Sequence, residues 1–124
     1  MSALLTADAL RRLPPPAATP ADCACAHLVC AGWESVSAPP GEPLLRHLGT
    51  LRDPEVEDPT LEELHPAGTR YGSPDAPIAP ACFPFNRCEV WACRACGRGF
   101  LQYTEYGGYY IDHRLREVNP ALVA

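Results

Sequence analysis

The sequence predicts a small α+β domain: a three-stranded antiparallel sheet surrounded by short helices and proline-rich loops. Three observations predict it. The chain has 124 residues, enough for one domain and little more. It carries 15 prolines and 9 glycines, which argue against long helical bundles and doubly wound folds. Nine of its ten aromatic residues fall between Tyr71 and Tyr110, so regular packed structure belongs to the second half. The single domain, 1–124, therefore reads as two halves. Residues 1–80 are irregular and acidic, with thirteen prolines and eleven acids against five arginines. Residues 81–124 hold the strands.

The elements follow in order. Thr6 is an N-cap for a short helix over Ala7–Leu13, stopped by Pro14-Pro15-Pro16. Residues 43–48 make one or two helical turns, ended by Gly49. Asp58 caps a further turn, with Pro59 at its first position, Glu62 and Glu63 near its positive end, and Pro66 closing it. Residues 67–86 read as extended loop. Strands follow at Glu89–Cys93, Phe100–Tyr106 and Tyr109–Val118. Gly107-Gly108 joins the last two as a two-residue hairpin turn in which both positions take positive φ. The third strand alternates cleanly, with Tyr109, Ile111, His113 and Leu115 on one face and Tyr110, Asp112, Arg114 and Arg116 on the other. Asn119-Pro120 starts a final turn over Ala121–Val123.

Charge and hydropathy exclude broad classes. The net charge is −5 and every basic residue is arginine, so a general nucleic-acid binder with a basic face is not expected. No apolar run reaches the roughly 20 residues of a membrane span. The first twelve residues place their charge after the apolar part, the wrong order for a secretory signal, so a cytoplasmic protein is expected.

Seven cysteines are the strongest compositional signal, and in a cytoplasmic chain they read as metal ligands before disulfides. Cys93-Arg94-Ala95-Cys96-Gly97 has the form of a metal knuckle. Two thiolates three positions apart bind one ion from a tight turn, and the glycine lets backbone amides face the sulfurs. A tetrahedral zinc needs two more ligands. The sequence offers Cys25, His27 and Cys30, and His27-x-x-Cys30 echoes the knuckle spacing. Cys82 and Cys88 are a third source. Such a structural zinc makes the sheet zinc-ribbon-like and staples the proline-rich half to it.

Other residues carry weaker signals. Asp53, Glu55, Glu57, Asp58, Glu62 and Glu63 form an acidic stretch without a base, suited to a basic protein partner or simply to solvation. Tyr103, Tyr106, Tyr109 and Tyr110 gather near the Gly-Gly turn, either as a protein-binding tip or as cross-strand packing. Glu55, Glu57, Asp58, Glu62, Tyr103 and Tyr106 are thus the candidate partner-binding residues. Arg98, Arg114 and Arg116 can meet phosphate or RNA from the sheet. Glu62 and His65, one helical turn apart, or His113, can serve a metalloenzyme. No catalytic serine elbow or phosphate-cradling glycine loop is present.

The run CxxCGRxFLxYTEYGGYY over Cys93–Tyr110, with CACAHLVCAGWES over Cys23–Ser35, resembles small uncharacterised bacterial proteins of similar length. The resemblance covers most of the chain and implies no catalytic residues. It implies the kind of short acidic protein that serves as an immunity protein neutralising a toxin. The expected function is a zinc-binding protein–protein interaction module, with toxin neutralisation as its sharpest form. A nucleic-acid-associated zinc ribbon and a small zinc metalloenzyme are the alternatives.

Overall fold

The computed structural model describes residues 3–30, 32–65 and 68–124. Five strands make one sheet: β1 (Glu34–Val36), β2 (Leu45–Thr50), β3 (Glu89–Cys93), β4 (Gly99–Tyr106) and β5 (Ile111–Glu117). Their spatial order is β1-β5-β4-β3-β2, and every pairing is antiparallel. The three central strands are those expected from sequence. The sheet is wider than the three-stranded ribbon expected from sequence, because two segments of the irregular half supply its edges.

β2 replaces the helical turns expected over 43–48. Leu45 is fully buried and pairs with Cys93, and a register shift between His47 and Gly49 lets the strand continue to Thr50. Six residues have weak helical preference of their own, and the free edge of β3 overrides it. The chain start then joins β2 as well. Leu5 N donates to Thr50 O at 2.8 Å and Thr50 N to Ala3 O at 2.8 Å.

The helix expected after Asp58 does not form among the described residues; Pro66, its expected end, lies outside them. A carbonyl it would use is taken elsewhere: Thr60 O accepts from Asn86 Nδ2 at 2.9 Å. Glu62 O, whose helical partner Pro66 has no N–H, accepts from Phe83 N at 2.8 Å and ties the segment down as a loop. The first helix does form as α1 (Ala7–Arg11), with Thr6 Oγ1 accepting from Ala9 N and Leu10 buried. Asn119 likewise caps a 3-10 turn over Pro120–Leu122.

The hairpin between β4 and β5 is present, but its turn is longer than two residues. Tyr106 pairs with Ile111 as the last rung, and Gly107 N donates to Tyr110 O at 2.9 Å. Neither Gly107 nor Gly108 has positive φ. The Tyr110 ring fills the space a side chain at Gly107 would need, which explains the glycine by contact rather than by dihedral.

Alternation along β4 divides the apolar residues between two cores. Leu101 and Tyr103 face one, with Leu10, Ile78, Phe85 and Val90. Phe100 faces the other, with Leu45, Leu115, Leu28, Cys25 and Cys93. The first is roofed by α1 and the loop preceding β3. The second is roofed by residues 23–30, a short stretch that contributes only Cys25 and Leu28 as buried side chains. Phe100 is the central side chain of this second core, and Phe100→Ala is expected to cost about 3–5 kcal/mol in denaturant unfolding.

Candidate metal centre

The knuckle is built at the end of β3. Cys93 N donates to Arg98 O at 2.8 Å, and Gly97 N donates back to Cys93 O at 2.9 Å. Gly97 takes φ +82°, which an L side chain rarely adopts, so the glycine after Cys96 is a conformational requirement. The chain reverses within this turn, and Cys96 comes back beside Cys93.

The N-terminal half reaches the same place through Cys23 and Cys25. Ala26 N donates to Cys23 O and Leu28 N to Cys25 O, both at 2.9 Å, which coils the backbone tightly behind the two thiols. Cys23 Sγ lies 3.6 Å from Cys93 Sγ, and Cys25 Sγ lies 3.6 Å from Cys96 Sγ. All four sulfurs are within 4.8 Å of one another. An ion bonded to four sulfurs at about 2.3 Å places neighbouring sulfurs about 3.8 Å apart. The four thiols therefore approach the dimensions of a tetrahedral site and can hold a metal ion.

The fold gathers Cys25, Cys93 and Cys96 from the sequence candidates and adds Cys23. His27 and Cys30 lie outside the group. His27 is exposed on the 3-10 turn Ala26–Leu28, which carries it away from the sulfurs. Cys30 comes after that turn and points its thiol at Leu115 O, 3.8 Å away. Cys88 is fully buried, with Sγ 3.3 Å from Pro84 O, and Cys82 packs against the first core.

The electrostatics favour ionisation at one sulfur first. Burial opposes the Cys93 thiolate, but backbone N–H groups of Cys96 and Ala95, with the Cys23 and Cys25 thiols, outweigh it and lower its pKa to about 7. Burial, with hydrogen bonding from its neighbours, pushes Cys25 well above the ordinary thiol range, and burial is the main cause of the rise at Cys96. A metal must displace protons from those two thiols. Metal uptake at neutral pH is therefore expected to release protons into unbuffered solution, and affinity is expected to rise with pH and fall steeply in acid.

Arg98 supplies a counter-charge that spacing alone did not indicate. It is buried and ion-paired with Glu117. Burial disfavours its cation, but Glu117 and then Cys25 and Cys96 hold it charged. A four-thiolate site around a divalent ion keeps two excess negative charges, and a buried guanidinium beside it offsets part of that cost.

The remaining candidates fall elsewhere. Arg116 is buried and bonded to Ala76 O, and Arg114 pairs with Asp112, so these guanidiniums are not presented as a free row on the sheet. Tyr103 is buried rather than at a tip. Its hydroxyl lies 2.5 Å from that of Tyr71, and its ring packs edge-on against Trp33. Tyr106 is exposed. Glu55, Glu57, Asp58 and Glu62 are all exposed in the loop after β2. His65 bonds Glu63 at 2.8 Å and His113 bonds Thr104 at 3.0 Å; neither they nor Glu62 join the thiol group. Among the described residues, no helix is long and apolar enough to cross a membrane.

Compared with known protein families, curated proteins and solved structures, the chain matches none.

Proposed function

We propose that the protein is a protein–protein interaction module whose fold is stapled by one structural zinc on Cys23, Cys25, Cys93 and Cys96. An all-sulfur tetrahedral donor set suits zinc, and four protein ligands leave no position for substrate, which favours a structural over a catalytic role.

The observation that carries the interaction reading is the composition of the ledge after β2. Val56, Leu61 and Leu64 are exposed there, interleaved with exposed Glu55, Glu57, Asp58, Glu62 and Glu63. The ledge borders a groove of about 460 Å³ whose lining includes Leu4, Leu5, Val56, Pro59 and Pro80. Apolar anchors ringed by one sign of charge suit a basic protein surface, with the acids steering encounter and the groove receiving an apolar side chain. In its sharpest form the partner is a toxin and the protein a bacterial immunity protein that covers the toxin's basic working surface.

The test is co-expression with the product of the neighbouring gene. The protein is expected to relieve growth arrest caused by that product and to form a complex with it. The combined variant Glu55→Gln, Glu57→Gln, Asp58→Asn, Glu62→Gln is expected to slow association at low salt by about 10-fold or more. Association unchanged by these substitutions contradicts the ledge as the contact surface.

A further inference from the structure

Four sulfurs within 4.8 Å of one another can be joined to each other as well as to an ion. Four cysteines pair in three ways. Cys23 can bond Cys25 while Cys93 bonds Cys96, Cys23 can bond Cys96 while Cys25 bonds Cys93, or Cys23 can bond Cys93 while Cys25 bonds Cys96.

Contact favours the last pairing. Cys23 Sγ meets Cys93 Sγ, and Cys25 Sγ meets Cys96 Sγ, each at 3.6 Å and at an angle that allows a hydrogen bond between the sulfurs. An S–S bond needs the same approach and a shorter distance, so each pair reaches it by small side-chain movement. A bond between Cys23 and Cys25 would have to close across one residue of a backbone already coiled by the Ala26 N to Cys23 O hydrogen bond, and departures from disulfide geometry store strain.

Exposure excludes the second pairing. Cys23 and Cys96 are partly exposed, whereas Cys25 and Cys93 are buried. Joining Cys23 to Cys96 and Cys25 to Cys93 would place both accessible sulfurs in one bond and both inaccessible ones in the other. Each of the two 3.6 Å pairs instead sets one sulfur that an oxidant can reach against one that it cannot.

We infer that the centre is also an oxidation site, at which a peroxide turns the zinc staple into a double disulfide staple, Cys23–Cys93 and Cys25–Cys96. The inference rests on the proposed zinc site for its starting state. The peroxide O–O bond breaks as one oxygen bonds the accessible thiolate, giving a sulfenic acid and one hydroxide. The buried thiolate then attacks that sulfur, the S–S bond forms and a second hydroxide leaves. Over both pairs, four thiolates give up four electrons, two peroxides become four hydroxides, and the ion is released because none of its ligands remains a thiolate. The two bonds span 70 and 71 positions of sequence, so they tie together the same stretches as the ion does. Cross-links that close long loops constrain the unfolded chain strongly, and the roof of the second core stays fastened in the oxidised form. Cys30, Cys82 and Cys88 stand outside the group and take no part.

The test treats the full-length, zinc-loaded protein with hydrogen peroxide and maps its disulfides. Zinc release is expected together with a fall in free thiols from seven to three. Trypsin cleaves after Arg46, Arg87, Arg94 and Arg98, so Cys93 and Cys96 leave in separate peptides while Cys23 and Cys25 share a third. That third peptide is expected to be bound to both of the others, with fragmentation placing Cys23 on Cys93 and Cys25 on Cys96. The oxidised, zinc-free form is expected to melt at least about 10 °C above the reduced, chelator-stripped protein, and a dithiol with added zinc is expected to restore the starting form. Cys93 joined to Cys96, a disulfide that uses Cys30, Cys82 or Cys88, sulfinic acids in place of disulfides, or an oxidised form that melts no higher than the stripped one would each overturn the inference and leave the zinc site standing. Protein purified without metal would overturn the zinc reading, and the same peptide map would still decide the pairing.

Discussion

A chelator strong enough to strip the four-cysteine centre is expected to lower the thermal midpoint by at least about 20 °C. The size follows from how little else holds the roof of the second core. Between α1 and β1 the chain carries four prolines, at 14, 15, 16 and 20, and among the described residues no regular element beyond two 3-10 turns. Its buried side chains there are Cys25 and Leu28. Burial of two such residues is worth only about 3–6 kcal/mol, while ordering some twenty residues costs more than that. A structural zinc supplies on the order of 10 kcal/mol, comparable with the total stability of a typical domain. Scanning calorimetry with and without chelator, followed by zinc readdition, measures the shift and its reversal. The first core lies on the opposite face of the sheet and contains none of the four ligands. Residual far-ultraviolet strand signal in the stripped protein is therefore expected to outlast the loss of order in residues 14–30.

The cysteine substitutions divide sharply. Cys23→Ala and Cys96→Ala each remove one sulfur of the four and are expected to lose bound metal and more than about 4 kcal/mol of stability. His27→Ala and Cys30→Ala leave the four sulfurs in place. His27 is exposed, and the Cys30 thiol makes one long contact to Leu115 O, so both variants are expected to keep full metal content and to lose less than about 1.5 kcal/mol. The contrast is informative because His27 and Cys30 carry the spacing that most resembles a second knuckle. Metal content per chain and denaturant midpoints, measured on the four variants together, read it directly.

That spacing also shows what local sequence can and cannot convey. Cys93-x-x-Cys96-Gly97 was legible because the whole geometry lies within five residues: two ligands, a turn and a glycine with positive φ. β5 was legible from its alternation, and β3 and β4 from their places on either side of that turn and before Gly107-Gly108. The partner ligands were ambiguous among Cys25, His27 and Cys30, and Cys23 was not among the candidates, since the choice depends on how residues 23–28 coil against a strand some seventy positions away. β2 and the loop at 58–65 were misread for the same reason. Leu45–Thr50 becomes a strand because β3 offers an edge, and 58–65 stays irregular because Asn86 takes a carbonyl a helix would use and Phe83 N ties Glu62 O down as a loop. β1 is three residues long with two of them exposed, too short to leave a pattern. Tyr103 looked like its neighbours in the tyrosine cluster, yet it sits on the Leu101 face of β4, where Trp33 and Tyr71 cover it.

The central claim is that one ion joins two distant stretches of chain through four sulfurs. X-ray absorption at the zinc edge of the purified native protein tests it most directly. The account predicts one zinc per chain with four sulfur neighbours at about 2.3 Å. A protein without bound metal, or a first coordination shell containing nitrogen from histidine, would contradict it.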